Sequence, residues 1–267
     1  MRTPGERAVD AILAVLAGAV FLILYAPVSI CALFSVVEVN RGVINWPSAT
    51  LAWYGRLLEN QSIIDAVQAT LIVGAGAVTA ATVAAVALAL YVNWEGAIGR
   101  RAIELVVYMP FLLPPIVTGL ALLIFFVNAG IDRSLLTVGI GHAVFILAIV
   151  YRLVSTRLQS LSRSLVEASA DLGANGWQSL RYVLWPQLRP AVATGAILAF
   201  TLSFDETLIS VFLAGDSTTL PLRLWAMMRV GFSPEINALI TIVLVISIVL
   251  TIIVGRRLRP AGQEEME

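Results

Sequence analysis

The segment 163–190, RSLVEASADLGANGWQSLRYVLWPQLRP, is a polar, arginine-flanked stretch between two long apolar runs. Its first half has the apolar spacing of a helix that ends near Gly173, since glycine commonly follows the last turn of a helix. Asn175 is suited to cap a second short helix, which we expect to run through Leu184 and to end before Pro186. One face of the first helix would carry Leu161, Leu165, Ala168 and Leu172. The sequence predicts a compact helical knob, which could dock on a partner or lie at a lipid surface.

The composition around this segment is that of a membrane protein. Hydrophobic residues make up 59% and charged residues 13% of the chain, and the mean hydropathy is +0.92. A soluble domain carries about 25% charged residues, so this chain has too few polar side chains to cover a globule in water. A membrane-spanning helix needs roughly 20 apolar residues. We therefore expect an all-α membrane protein forming a single domain, 1–267, with six transmembrane helices at about 8–37, 63–92, 102–127, 135–151, 191–213 and 236–255.

The positions of the arginines predict the topology. The chain has 17 basic residues and no lysine, so every basic residue is an arginine. With the N-terminus inside, the cytoplasmic set is Arg2, Arg7, Arg100, Arg101, Arg152, Arg157, Arg163, Arg181, Arg189, Arg256, Arg257 and Arg259. The outside set is Arg41, Arg56, Arg133, Arg223 and Arg229. Because basic residues accumulate on the cytoplasmic side, we expect both termini and the loop 157–190 to be cytoplasmic, and the first run to be a retained helix.

Residue counts exclude several kinds of site. A phosphate-binding P-loop requires a lysine, so this chain is not itself a P-loop ATPase. The single cysteine, Cys31, rules out an intrachain disulfide, and one cysteine with one histidine does not make a usual zinc site. No basic segment interleaved with aromatic residues indicates a nucleic-acid partner. His142, in the fourth run, is interpreted as an interhelical hydrogen-bonding residue, with a proton relay as the alternative.

Prolines interrupt the third apolar run. Pro110, Pro114 and Pro115 would break a single straight helix because each lacks a backbone N–H. The carbonyl groups left free must then be buried in protein or face a wet cavity. We expect this helix to border a pathway, and a kink that serves packing alone is the alternative. The sequence predicts no other broken helix.

The polar segment also contains a recognisable motif. Glu167, Ala168, Gly173 and Pro186 stand in the register of the "EAA" loop, so the segment closely resembles the cytoplasmic loop of the membrane subunits of binding-protein-dependent ABC importers. Ser169, Val183 and Trp185 replace the alanine, isoleucine and leucine of that pattern. The fragments 50–60 and 108–123 resemble other parts of these permeases, and 202–242 resembles the spermidine/putrescine-type branch. The resemblance assigns ATPase coupling to Glu167, Ala168, Ser169, Asp171, Gly173 and Pro186.

This resemblance implies the type I ABC importer permease fold and a set of partners. These are a dimer of ATP-binding subunits, a second homologous permease and an extracytoplasmic substrate-binding protein, all acting at a bacterial inner membrane. ATP and Mg²⁺ would be used by the ATPase, and this chain would bind no cofactor or metal. It would change no bond in its substrate and would therefore not be an enzyme.

Two acidic residues lie inside the fifth apolar run. A carboxylate near the middle of a membrane costs roughly 2.5–3.5 kcal/mol, so Asp205 and Glu206 need a role or a partner. A helical wheel places Asp205 with Thr201 on one face, and we assign that face to the substrate pathway. Glu206 falls on the other face and is assigned to a partner helix or an interfacial arginine. The alternative for Asp205 is a structural ion pair with Arg223 or Arg229.

The pathway residues favour a cationic solute. Ammonium groups bind carboxylates and aromatic faces, and Tyr108 and Trp225 are candidate aromatic contributors beside Asp205 and Glu206. A polyamine is therefore the first expectation for the solute. An aminophosphonate, an amino acid such as γ-aminobutyrate, and ferric ion are the alternatives within the same importer type. An ion-gradient transporter, which would carry paired broken helices in inverted repeats, and a structural scaffold are the rivals from other classes.

Overall fold

The structure is a computed structural model that describes residues 4–40, 43–162, 164–230 and 233–258. Most of these residues are helical. The α-helices are α1 (Pro4–Phe34), α2 (Ala52–Glu59), α3 (Gln61–Asn93), α4 (Arg100–Leu112), α5 (Pro115–Asn128), α6 (Leu135–Ser160), α7 (Ser164–Asp171), α8 (Gly176–Gln178), α9 (Trp185–Asp205), α10 (Leu208–Leu213), α11 (Leu220–Val230) and α12 (Pro234–Leu258). A π-helical segment, Ser179–Leu184, joins α8 to α9, and a short 3-10 turn covers Trp46–Ser48.

The chain divides into two compact units, of which the first combines Met1–Gln61 with Ala226–Glu267. In this unit α12 packs against α1 and α2. Strands β1 (Glu38–Asn40) and β2 (Val43–Asn45) pair antiparallel, a small element that the all-α prediction did not contain. The hydroxyl groups of Ser35 and Tyr54 lie 2.7 Å apart and tie the end of α1 to α2.

The second unit, Ser62–Trp225, holds the larger core. Helix α6 is its centre and packs along α9, with α4, α5 and α10 against its other sides. A close approach of α6 and α9 depends on Gly195, where an added Cβ would come within 3.3 Å of Val150 Cγ1. The fully buried side chains of α6 include Val138, Ile146, Val150, Tyr151 and Val154.

The apolar helices agree with most of the predicted spans. Within the described residues, α1 (from Val9), α3 and α6 are long and apolar enough to cross a membrane, and the bent pair α4–α5 makes a fourth candidate. The α12 stretch Pro234–Val249 is apolar but shorter, and α9 does not pass the same test of length and composition. The membrane-protein class is confirmed, whereas the count of six spans is only partly reproduced. The division into two units neither supports nor opposes the predicted single domain.

The proline-bearing helix is broken, as predicted. The chain bends by 110° between α4 and α5, because the backbone of Leu113 and Pro114 is extended and not helical. Pro114 has no N–H to donate to the carbonyl of Pro110, four residues earlier. The hydroxyl of Thr118, which is buried, donates to that carbonyl instead, at 3.3 Å. The Pro110 carbonyl therefore still accepts a hydrogen bond despite the break.

The fifth run is broken as well, so the prediction of one continuous helix over 191–213 is wrong. The helix begins earlier than predicted, at Trp185, and α9 ends at Asp205. Glu206 is extended, and α10 starts only at Leu208. The expectation of a single broken helix is corrected to two among the described residues.

Removing the Thr118 hydroxyl tests the closure of the first break. In Thr118→Val the side chain keeps its shape, but the Pro110 carbonyl loses its donor inside the bundle. We expect the free energy of unfolding in detergent to fall by about 1–2 kcal/mol. Thr118→Ser, which keeps the hydroxyl, should lose less. Equal stability of the valine variant and the original chain would show that the hydroxyl does not stabilise the break.

Candidate functional site

The polar segment forms the predicted knob from α7, a glycine turn and α8. Gly173 has φ +86°, and its N–H donates to the Ala170 carbonyl while that of Ala174 donates to the Ser169 carbonyl. These two bonds are the Schellman pattern of a helix end, which favours glycine at the left-handed position. Asn175 Oδ1 accepts from the backbone N–H of Gln178 at 2.9 Å, and Gln178 Oε1 accepts from that of Asn175 at 2.8 Å. The predicted glycine turn and asparagine cap are confirmed.

The second helix of the knob does not end before Pro186, so that boundary was wrong. The chain continues from α8 through Ser179–Leu184 into α9 without leaving helical geometry. The N–H of Trp185 donates to the Leu180 carbonyl, five residues earlier. Proline is tolerated at this point because Pro186 lies in the first turn of the α9 segment, where the wider π turn replaces the usual bonding. The predicted loop 157–190 is therefore mostly helix, with α6 reaching Ser160.

The residues assigned to coupling separate into an outer and an inner set. Ser169 is buried, and its hydroxyl lies 2.7 Å from that of Ser179, so it joins α7 to the π-helical segment. Leu172 and Trp177 are apolar yet 89% and 67% exposed. The outer set consists of Glu167, Ala168, Asp171, Gly173 and Pro186, all exposed. The knob thus shows an apolar tip that nothing in the second unit covers among the described residues.

The base of the knob is tied to the core. Arg157, at the end of α6, donates through Nε to the Gln187 carbonyl at 3.1 Å and through Nη2 to Gln187 Oε1 at 3.0 Å. Leu188, one residue further along α9, is fully buried. At the same end of the unit, Asn93 of α3 donates to Ser155 Oγ of α6 at 3.3 Å. The first turn of α9, where the knob ends, is therefore held on α6.

A second cluster surrounds the break between α9 and α10. Glu206 is only 9% exposed, and its Oε1 accepts from the backbone N–H of Ile209 at 3.0 Å. The Ser210 hydroxyl donates to the Glu206 carbonyl at 2.9 Å. The carboxylate therefore caps the first turn of α10, which corrects its assignment to a partner helix or an arginine. A signal for this role is present in the sequence, since an acidic residue shortly before an apolar stretch is typical of a helix start.

His142 closes the same break from α6. It is 2% exposed, with Nδ1 2.9 Å from Ser203 Oγ in α9 and Nε2 3.0 Å from Ser210 Oγ in α10. Because Ser210 uses its hydrogen on the Glu206 carbonyl, Nε2 is the donor to Ser210 and Nδ1 accepts from Ser203. The predicted interhelical hydrogen bond is confirmed, and it spans both halves of the broken helix.

Asp205, next to the buried Glu206, is exposed together with Thr201 one turn earlier. Within the described residues of the second unit, Asp205 makes no ion pair within 4.0 Å with Arg223. Arg223 instead has a buried Nε with no hydrogen-bond partner there. Arg229, the other predicted partner, belongs to the first unit.

The two aromatic residues predicted beside the acids lie in different settings. Tyr108 packs edge-on against Tyr151 of α6, with ring centroids 5.8 Å apart. The fully buried Tyr151 in turn donates its hydroxyl to Glu104 Oε1 at 3.4 Å. Trp225 is half exposed near the end of the second unit. Sequence reasoning missed Glu104 and Tyr151, although Glu104 is an acid within the predicted third span.

Glycines allow α5 and α6 to approach α10 closely. An added Cβ on Gly119 of α5 would lie 2.9 Å from Phe212 Cδ2 and 3.2 Å from Ile209 Cα, both in or beside the first turns of α10. One on Gly141 of α6 would lie 2.7 Å from Ile209 Cγ2. Helix α10 is therefore held tightly between α5 and α6.

Comparison with known proteins identifies the family. Residues 77–260 match the family described as binding-protein-dependent transport system inner membrane component. The chain belongs to this family. It is 36% identical to the putrescine transport system permease protein PotI of Escherichia coli K12, covering 84% of this chain and 82% of that protein. It is 35% identical to the spermidine/putrescine transport system permease protein PotC of the same strain, covering 88% and 89%.

Similarity to a solved structure supports the ABC transporter permease fold. The chain is similar to a bacterial ABC transporter involved in import of the acidic polysaccharide alginate, with a TM-score of 0.76 and 19% identity. The match covers 97% of this chain and 99% of that one. The predicted permease fold and the importer function are thus confirmed, and the chain is an inner-membrane transport subunit that works with ATPase and substrate-binding partners. The ion-gradient and scaffold alternatives are not supported, even though a second broken helix exists.

Substituting Gly119 tests the packing of α5 against α10. Gly119→Ala adds a methyl group against the backbone of Ile209, which cannot move as freely as a side-chain end. We expect a loss of about 1–3 kcal/mol in the free energy of unfolding, measured in detergent.

Gly139→Ala is the matched control, because a Cβ on Gly139 of α6 meets no atom within 4 Å. It should be neutral or slightly stabilising, since alanine favours helix more than glycine. If the two alanine variants are equally stable, the close contact at Gly119 is not a constraint.

Proposed function

We propose that this chain is the permease subunit of an ATP-driven importer whose solute is a polyamine. The observation that carries the proposal is the exposure of Asp205 at the break, beside a neighbouring acid, Glu206, that is buried and caps the first turn of α10. The 35–36% identity to permeases named for putrescine and spermidine supports the same class of solute.

The electrostatic environment of Asp205 favours binding of a cation. Asp205 is the last residue of α9, where the unpaired carbonyl groups of a helix end carry partial negative charge. A broken helix that presents such an end is a known way to hold a cation inside a membrane protein. Thr201 donates its hydroxyl to the Ile197 carbonyl, so its oxygen is available to accept from an ammonium group. Tyr108 and Trp225 are proposed as aromatic contributors, while Glu206 acts by shaping the break.

The knob is proposed to be the contact with the ATPase. Its tip, Leu172 and Trp177, offers the exposed apolar surface that a groove on a partner would cover. Glu167, Ala168, Asp171, Gly173 and Pro186 lie around it, and Ser169 holds the knob together from inside. ATP-driven closure would move the knob and switch the cavity between inward and outward access. The proposed complex has two ATPase subunits, which use ATP and Mg²⁺, a second homologous permease and an extracytoplasmic binding protein, with both termini of this chain cytoplasmic.

Neutralising Asp205 tests the proposed solute site. In Asp205→Asn, we expect uptake of radiolabelled putrescine or spermidine by cells or proteoliposomes to fall at least tenfold, because the ammonium group loses its charged partner. Asp216→Asn removes another exposed acid near the end of α10 and should leave uptake close to that of the original chain. Unchanged polyamine uptake in the Asp205 variant would contradict the cation site.

A ligand panel identifies the solute independently of this residue. The binding protein that works with this permease would be titrated by calorimetry with putrescine, spermidine, γ-aminobutyrate, 2-aminoethylphosphonate and ferric ion. Tight binding of a polyamine is expected. Tight binding of an anion or of ferric ion would keep the importer function and overturn the polyamine proposal.

Changing the tip of the knob tests the proposed docking. Leu172→Glu places a charge in a contact that would otherwise be apolar, so we expect at least a tenfold loss of ATPase subunits that co-purify with the permease. Leu58→Glu changes another highly exposed leucine, in α2 of the first unit, and should retain the ATPase. Full ATPase retention by the Leu172 variant would rule out docking through this tip.

A further inference from the structure

A groove lies between the second half of α3 and the segment that leads from the knob into α9. Its volume is about 640 Å³, which is within the usual range for small-ligand sites. The lining residues are Val86, Leu90, Trp177, Leu180, Arg181, Tyr182, Trp185, Pro186 and Arg189. Trp177 and Pro186 also belong to the proposed ATPase contact, and the other lining residues have no role in the importer mechanism proposed above.

The groove has a charged rim. Arg181 and Arg189 are both exposed, and within the described part of the chain no carboxylate lies within 4.0 Å of either guanidinium group. The Arg181 guanidinium lies 5.9 Å from the centre of the Tyr182 ring, which orients it without neutralising it. Two arginines without a counter-charge form a site for an anion, and their planar groups suit phosphate.

The floor of the groove is apolar. Val86 and Leu90 belong to α3, one of the helices long and apolar enough to span a membrane, and both are half-buried. Leu180 and Trp185 add further apolar surface to the lining. Tryptophan and tyrosine beside a spanning helix are typical of the level of the lipid headgroups. The groove therefore combines exposed charge with apolar surface, as a phospholipid does.

We propose that this groove binds an anionic phospholipid, with the headgroup phosphate on Arg181 and Arg189 and an acyl chain along Val86 and Leu90. The charge of the rim favours this occupant over a zwitterionic lipid, and the apolar floor favours it over a free phosphate. A lipid bound here contacts both α3 and the base of the knob, so it would brace the knob against the membrane. The inference does not depend on which solute the importer carries.

Lipid retention by the full permease complex tests the site. The complex would be purified in detergent, titrated with phosphatidylglycerol or with phosphatidylcholine, and examined by native mass spectrometry. We expect the unmodified complex to bind phosphatidylglycerol in preference to phosphatidylcholine. Arg181→Gln combined with Arg189→Gln should weaken phosphatidylglycerol binding roughly 30-fold, at about fivefold for each arginine near a membrane surface.

Two controls separate this site from general effects of charge and folding. Arg101→Gln combined with Arg152→Gln removes the same charge from exposed positions outside the groove and should leave binding unchanged. Arg181→Lys combined with Arg189→Lys should restore most of the binding. Free inorganic phosphate should not compete at millimolar concentration if the acyl chain is part of the ligand.

Three outcomes would overturn the proposal. Equal phosphatidylglycerol binding by the groove variant and the unmodified complex would show that the lipid lies elsewhere. Competition by inorganic phosphate would assign the rim to a soluble anion. Unchanged lipid binding with loss of the ATPase or of the second permease would make the groove a protein interface. Polyamine uptake measured on the same variants reports on the importer function separately.

Discussion

The need to bond every backbone polar group inside a membrane is the constraint on which this structure depends. An unpaired carbonyl or N–H in an apolar environment costs several kcal/mol, yet two helices of the chain are interrupted. At the first break, the Thr118 hydroxyl supplies the hydrogen bond that Pro114 cannot give. At the second, the Glu206 carboxylate accepts from the Ile209 N–H, which starts α10. Each interruption is stable because a side chain replaces part of the helical bonding.

The two breaks also stabilise one another. Helix α10, after the second break, packs on α5, after the first, at a distance that only glycine at 119 allows. His142 of α6 then bonds to serines on both sides of the second break. The extended Glu206 is therefore fixed by neighbours on two helices. Asp205 stays exposed because its neighbour fills the buried capping position, which separates two acids of the same type into a structural role and a proposed binding role.

Local features of the fold could be predicted from the sequence, and features that depend on distant contacts could not. The glycine turn and the asparagine cap of the knob follow from residues within one helical turn, and both were predicted correctly. The proline break was predictable for the same reason. The path through Pro186 was not, because a π-helical segment is maintained by its contacts with α7 and α9. The capping role of Glu206 was also missed, since the helical wheel assumed a continuous helix where the structure has a break.

A single helix connects the two proposed sites. Helix α9 runs for 21 residues from Trp185, beside the knob, to Asp205, a length of about 30 Å at 1.5 Å per residue. Arg157 ties its first turn to α6, and Ser203 ties its last turn to His142 on the same helix. We propose that a displacement of the knob changes how α9 packs along α6, because helical geometry continues from α8 into α9 without a loop. The other end of α9 is the break at Asp205 and Glu206, where the backbone hydrogen bonds of the helix are already interrupted. A rearrangement at this break would therefore break fewer backbone hydrogen bonds than one inside a continuous helix.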